Sequence, residues 1–90
     1  DLKAHEVFIK DEPVFFPNKE YELLVFFATH PNIVFSKQEL FERIWDQNAF
    51  GDINTVTVHI NRIRDKLTID ESMPKYIETV WARGYRFRKY

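Results

Sequence analysis

Apolar residues recur along this chain at two periods, one helical and one extended, and the alternation between them predicts the elements. Over 52–68, DINTVTVHINRIRDKLT, Val56, Ile60, Ile63 and Leu67 follow at steps of four, three and four. At about 100° per residue this makes one narrow aliphatic stripe on a helix. The opposite side carries Asn54, Val58, Asn61, Arg62 and Asp65, with Thr55, His59 and Lys66 on one shoulder and Thr57, Arg64 and Thr68 on the other. Asp52 or Asn54 caps this helix. Earlier, Tyr21, Leu24, Phe27 and Ala28 form the apolar face of a helix opened by Pro17-Asn18, with Asn18 as N-cap and Glu20 and Glu22 in the first turn, where the helix dipole favours anions. His30-Pro31 ends it, with His30 as a polar residue of the last turn. Ser36-Lys37-Gln38-Glu39 has the spacing of a capping box ahead of Leu40, Phe41, Ile44 and Trp45, and predicts a second helix over 37–45.

The extended segments lie at the two ends. Val7-Phe8-Ile9 and Val14-Phe15-Phe16 flank the turn-forming Lys10-Asp11-Glu12-Pro13, so 5–16 reads as a hairpin in which Pro13 stands at a strand start or on an edge. His5 is read as a surface residue. After a polar connection over 68–74, 75–81 reads as a strand, Ala82-Arg83-Gly84 reverses it, and 85–89 alternates Tyr85 and Phe87 inward against Arg86 and Arg88 outward. The segment Asp46, Gln47, Asn48, Ala49, Phe50, Gly51 has no stripe and is a loop. The order is hairpin, three helices of which the last two form a helix-turn-helix, then hairpin. That is an α+β winged helix-turn-helix.

Ninety residues, 44% of them hydrophobic and including nine Phe, four Tyr and two Trp, can bury one core and predict one domain over 1–90. The absence of cysteine removes disulfides, Cys-ligated zinc and thiol nucleophiles, and points to the cytoplasm. The longest apolar run, Leu23 to Ala28, is too short for a membrane span. A chain that starts at Asp1, within a β-rich segment, is expected to be an excised part of a longer protein.

The formal net charge of −1 hides a division. From Asp1 to Val58 five basic residues face ten acidic ones, a balance of −5; from His59 to Tyr90 eight basic residues face four acidic ones, a balance of +4. A basic third on a near-neutral chain is the footprint of a polyanion-binding face. The outer side of the 52–68 helix strengthens that reading, because amide, hydroxyl, guanidinium and imidazole groups beside an exposed Val are suited to base edges and phosphates in a major groove. No catalytic residue, metal site or cofactor is predicted: the histidines stand apart at 5, 30 and 59, and no Gly-rich phosphate loop occurs.

The segments EYELLVFFATHP, SKQELFERIW, NTVTVHINRIRDKL and IETVWARGYRF together resemble the DNA-binding effector domain of OmpR/PhoB-type response regulators, over roughly His5 to Arg88. The resemblance implies a transcription regulator of a two-component phosphorelay, with a receiver domain elsewhere in the same chain. It implies homodimerisation on tandem half-sites of double-stranded DNA, whereas the isolated domain is expected to be a monomer. It also implies a sheet before the first helix, of which this chain holds the later strands, leaving that sheet's apolar face incompletely covered.

By the same resemblance Asn54, Val58, Asn61 and Arg62 match positions that point into the major groove, and the helical wheel had placed these residues outward independently. Thr55, His59, Arg64 and Thr79 match phosphate-contacting positions, and Lys66, Arg86 and Arg88 are added to that backbone set. Arg83, at the wing tip, is placed for a minor groove. The loop 46–51 matches a segment that touches RNA polymerase, with Phe50 as its apolar residue. Two departures stand out: the family usually has Gly at the position of Ala82 and commonly Arg at that of Trp81. Ala disfavours positive φ and predicts another turn type; the Trp81 ring is left to pack on a sugar or on the domain itself.

Blander readings compete. Arg62, Arg64 and Lys66 also fit a solvated helix face, His59 a donor to a backbone carbonyl, and Trp45 a core residue. A protein-binding winged helix shares the fold but predicts an exposed apolar patch and no salt-sensitive DNA affinity.

Overall fold

A computed structural model describes residues 5–9, 11–45, 52–68 and 76–88. Its first element is a hairpin of β1 (Glu6–Ile9) and β2 (Glu12–Phe15), paired antiparallel with Ile9 opposite Glu12 and Phe8 opposite Pro13. The ladder therefore runs through Glu12, which the sequence had placed in the turn, and through Pro13, which stands on an edge strand as expected. Pro13 is tolerated because both strands are edges of a two-stranded sheet. Asp11 takes a φ of 67°, a left-handed conformation that a short polar side chain permits. Ile9, Val7 and Val14 pack on the core, whereas Phe8 and Phe15 point away and are 65% and 61% exposed. His5 is not a free surface residue: it is half-buried, with its ring stacked on Tyr21 at 4.6 Å.

Helix α1 (Asn18–Thr29) starts one residue earlier than its predicted cap implies. Pro17 is the N-cap, Asn18 is the first helical residue, and no side chain caps the helix. Glu20 is the acidic residue of the first turn, while Glu22 lies beyond it and pairs with Lys19 at 3.0 Å. The buried face is Glu20, Tyr21, Leu23, Leu24 and Phe27, with Ala28 exposed, so the stripe is rotated toward Leu23 relative to the expectation. His30 caps the C-terminus; its Nδ1 donates to the Phe26 carbonyl at 2.8 Å and its ring stacks on Phe26 at 4.4 Å.

A two-residue strand that the sequence did not signal, β3 (Val34–Phe35), leads into α2 (Lys37–Trp45). The capping box forms in both directions: Glu39 N–H donates to Ser36 Oγ at 3.1 Å, and Ser36 N–H donates to Glu39 Oε1 at 3.0 Å. The Ser36 N–H, with the Ser36 hydroxyl adding to it, holds the Glu39 carboxyl below its ordinary pKa. Helix α3 (Asn54–Leu67) has Ile53 as N-cap, so neither Asp52 nor Asn54 is the cap itself. Asp52 still satisfies one of the helix-start donors, its Oδ1 accepting from the Asn54 N–H at 2.9 Å. The loop 46–51 and the connection 69–75 lie outside the described residues.

The wing is β4 (Ile77–Val80) and β5 (Gly84–Phe87), joined by a three-residue turn, Trp81-Ala82-Arg83. Ala82 does take a positive φ, 63°, so the expectation of a different turn type is corrected. The ladder on either side and the Arg83 N–H bond to the Val80 carbonyl at 3.0 Å hold it there, against a left-handed cost of about 1–2 kcal/mol. Strand β5 also pairs with β3, giving the order β3-β5-β4. Gly84 makes that possible, because a Cβ at this φ of 135° would lie 2.0 Å from the Phe35 carbonyl oxygen. Around Phe16, Leu23, Phe27, Leu40, Val56, Ile60 and Ile63, all fully buried, the three helices close one core that Phe35, Ile77 and Tyr85 of the three-stranded sheet complete. Three helices with a C-terminal hairpin beside the third make a winged helix.

Candidate nucleic-acid interface

The aliphatic stripe of α3 orients everything outside it. Val56, Ile60 and Ile63 are 0% exposed and Leu67 8%, so the helix cannot rotate without bringing polar groups into the core. The opposite face is thereby fixed in solvent: Asn54, Asn61 and Arg62 are exposed, and Val58 is 45% exposed. Among the described residues no partner engages the side chains of Asn54, Asn61 or Arg62. The structure brings all four predicted base-reading residues onto one free face.

The shoulders are another matter. Arg64 is half-buried and joins α3 to the wing: its Nε donates to the Ile77 carbonyl at 3.1 Å, its Nη2 to Thr79 Oγ1 at 2.7 Å, and its guanidinium lies 5.3 Å from the Tyr85 ring centroid. Burial lowers its pKa, opposed by the Tyr85 hydroxyl, yet an arginine stays charged at any working pH. Thr79 remains exposed; with the Arg64 bond accepted, its own O–H is free to donate. Thr57 Oγ1, on the same shoulder, lies 3.3 Å from the Tyr85 hydroxyl.

Lys66 is not brought to the outer face of α3 but turns toward α1 and the first hairpin. Its Nζ donates to Glu20 Oε1 at 2.7 Å and to the Phe15 carbonyl at 3.3 Å, and lies 5.0 Å from the Phe16 ring centroid. The Glu20 side chain is 4% exposed, so this ammonium neutralises a buried carboxylate and ties α3 to α1 and the first hairpin. Nothing at 20 signalled such a partner except an acid one position from the apolar stripe.

His59 behaves as the blander reading had it. Nδ1 is 2.8 Å from the Thr55 carbonyl, which can only accept, so Nδ1 carries a proton and donates it there. Its edge meets Trp45 at 4.9 Å, and Trp45 in turn stacks on Phe41 at 5.9 Å. Thr55, half-buried, lies beside it, with Oγ1 3.4 Å from Nδ1.

On the wing, Thr79 and Tyr85 pair across the ladder on the α3 side, and Glu78 pairs with Arg86 on the other. Arg86 donates to Glu78 Oε1 through Nε and Nη2 at 3.1 and 2.9 Å, and Arg88 reaches the same carboxylate at 3.2 Å. The Arg86 hydrogen bonds, with Arg88 adding to them, hold the Glu78 carboxyl below its ordinary pKa against a small desolvation cost. These two arginines are not brought to the α3 face. Arg83 faces the start of α2 instead: with Lys37 and Gln38 there, and with Thr79 and Trp81, it lines one shallow depression between the wing and α2. Lys37 was missed by the sequence reading, which saw in it only the first residue of a capped helix.

A winged helix whose third helix presents a free polar face, with an arginine at the tip of the wing, defines the class of this chain. Residues 11–87 match the family model described as transcriptional regulatory protein, C terminal, and the chain belongs to that family, the effector domains of OmpR/PhoB-type regulators. The transcriptional regulatory protein YvrH of Bacillus subtilis (strain 168) is 43% identical over 82 residues, covering 91% of this chain. The chain spans 35% of the length of that relative. Among solved structures, the response regulator DrrB, an OmpR/PhoB homologue from Thermotoga maritima, superposes with a TM-score of 0.84 at 32% identity, covering 99% of this chain and 40% of that one. The DNA-binding domain of Klebsiella pneumoniae RstA, solved in complex with the RstA box, superposes with a TM-score of 0.80 at 27% identity over 98% of this chain and 87% of that one.

Proposed function

We infer that this chain binds double-stranded DNA sequence-specifically, as the effector domain of a two-component response regulator that controls transcription. The observation that carries the reading is the free face of α3, where Asn54, Val58, Asn61 and Arg62 stand opposite four buried aliphatic residues. A helix of this width enters a major groove, where Asn61 pairs with adenine N6 and N7, Arg62 with guanine O6 and N7, and Val58 packs on a thymine methyl. Thr55, Thr79 and the remaining N–H groups of Arg64 hold the register on phosphates, and Arg83 enters the adjacent minor groove. His59 takes its place beside them with Nδ1 already engaged by the Thr55 carbonyl. RstA, solved on a DNA box, supports this use of the fold.

The family supports the wider setting. A receiver domain in the same polypeptide controls dimerisation on tandem half-sites in the cytoplasm, segment 46–51 meets RNA polymerase, and no chemical step is catalysed. The chain by itself is a monomer of modest affinity, because the second protomer that supplies effective concentration is missing. Selection of duplexes from a random pool, followed by titration of selected and scrambled duplexes at several salt concentrations, tests the binding reading. Tighter binding of the selected duplex, with log affinity falling linearly in log salt, is the expected result. Equal affinity for both duplexes overturns it.

A further inference from the structure

Trp81 is 90% exposed, the most open of the large hydrophobic side chains among the described residues. Single exposed apolar residues are ordinary, and exposure alone assigns nothing. Three features of its position do. First, the ring does not pack on the domain, which removes one of the two roles open to it from sequence. Second, the turn that carries it is stiff: the Arg83–Val80 backbone bond and the Val80–Gly84 pair close it, and Gly84 is pressed against the Phe35 carbonyl. Third, the same turn carries Arg83, and both line the depression shared with Lys37 and Gln38. An indole carried into water on a closed turn, in one depression with two cations, matches a surface that is anionic with apolar C–H groups between the charges. The sugar–phosphate wall of a DNA groove has that pattern.

We propose that Trp81 is a DNA-contacting residue that lays its ring on deoxyribose C–H groups at the edge of the minor groove that Arg83 enters, while Lys37 neutralises a neighbouring phosphate. This rests on the DNA-binding reading above and adds to it a contact that is apolar, insensitive to sequence and insensitive to salt. An indole displaces water and no counterion, so its contribution survives where ionic contacts fade. It also costs little to order, because an aromatic side chain has only two torsions and this one sits on a fixed turn.

The chain contains two tryptophans, and Trp45→Phe leaves Trp81 as the sole tryptophan, excited selectively at the red edge where tyrosine does not absorb. With a duplex selected by the protein itself, acrylamide quenching of Trp81 in that variant is expected to fall several-fold on binding. In the otherwise native chain, Trp81→Ala is expected to weaken selected and scrambled duplexes by the same factor, roughly tenfold, with the slope of log affinity against log salt unchanged. Trp81→Phe should recover most of the loss. Far-UV circular dichroism verifies that each variant is folded, which a side chain 90% exposed leaves intact. Undiminished quenching in the complex overturns the proposal, as does wild-type affinity of Trp81→Ala or a loss that appears only with a changed salt slope. If the wild-type chain binds no duplex, the DNA-binding reading falls and this contact with it; if it binds and Trp81 stays open to acrylamide, only this contact falls.

Discussion

Arg62 and Lys66 stand one turn apart on α3 and carry the same charge, yet they belong to different parts of the molecule. Arg62 is exposed and unengaged by any described residue; Lys66 is two-thirds covered and holds the carboxylate of Glu20, which is almost completely buried. One is a group available to a ligand, and the other is part of the scaffold that aims it. The lesson extends to the whole basic third of the chain. Among its described basic residues, Arg64, Lys66, Arg86 and Arg88 bind within the protein, and Arg62 and Arg83 do not. A positive balance counted from sequence therefore overstates the charge that can meet a polyanion.

The contrast breaks first at Lys66. Lys66→Ala leaves Glu20 buried without its cation and is expected to lower urea-unfolding stability by about 2–4 kcal/mol, the lower part of the range reflecting the partial exposure of the ammonium. A Glu20→Leu/Lys66→Met double variant, which removes both charges, should regain most of it. If Lys66→Ala unfolds at the wild-type urea concentration, the ion pair is not structural. Arg62→Ala is the mirror case: unfolding unchanged within about 0.5 kcal/mol, but a loss of about 1–3 kcal/mol on the selected duplex with little on a scrambled one. A uniform loss on both would return Arg62 to the phosphate-contacting class.

Arg64 lies between these extremes and sharpens the boundary. Arg64→Ala cuts the bonds to Ile77 and Thr79 and is expected to cost about 1–2 kcal/mol of stability and to weaken every duplex alike, as the wing loses its register against α3. A loss confined to one duplex sequence would make it a base reader. The smallest effect belongs to Glu78. Its folded pKa is depressed, so the stability from the Arg86 and Arg88 contacts is complete above the ordinary carboxylate range and is lost as pH falls through the lowered value. Melting temperatures between about pH 6 and pH 3 should fall less steeply for Glu78→Gln than for wild type, and the difference should shrink with added salt. Parallel curves would show that this exposed cluster stabilises nothing.

What was legible beforehand was whatever depends on neighbours within about one helical turn or one strand pair. The α3 stripe, its four outward residues, the Ser36–Glu39 box and the Tyr85/Phe87 alternation all came out as read, because each is a spacing of two, three or four residues. The misreadings are of another kind. The buried face of α1 includes Leu23 because α1 packs against both α2 and α3; β3 exists only because Gly84 lets β5 approach Phe35; and Ala82 accepts a left-handed φ because the ladder on both sides holds it.

The sequence by itself determined the order of the three helices and two hairpins, the family, and the face of α3 that meets solvent. Which cations stay available was decided by tertiary structure, since the partner of Lys66 is 46 residues away and that of Arg64 lies 15 residues on, across the connection to the wing. Periodicity records local geometry, whereas a buried carboxylate selects its counter-charge from whatever the fold brings within reach.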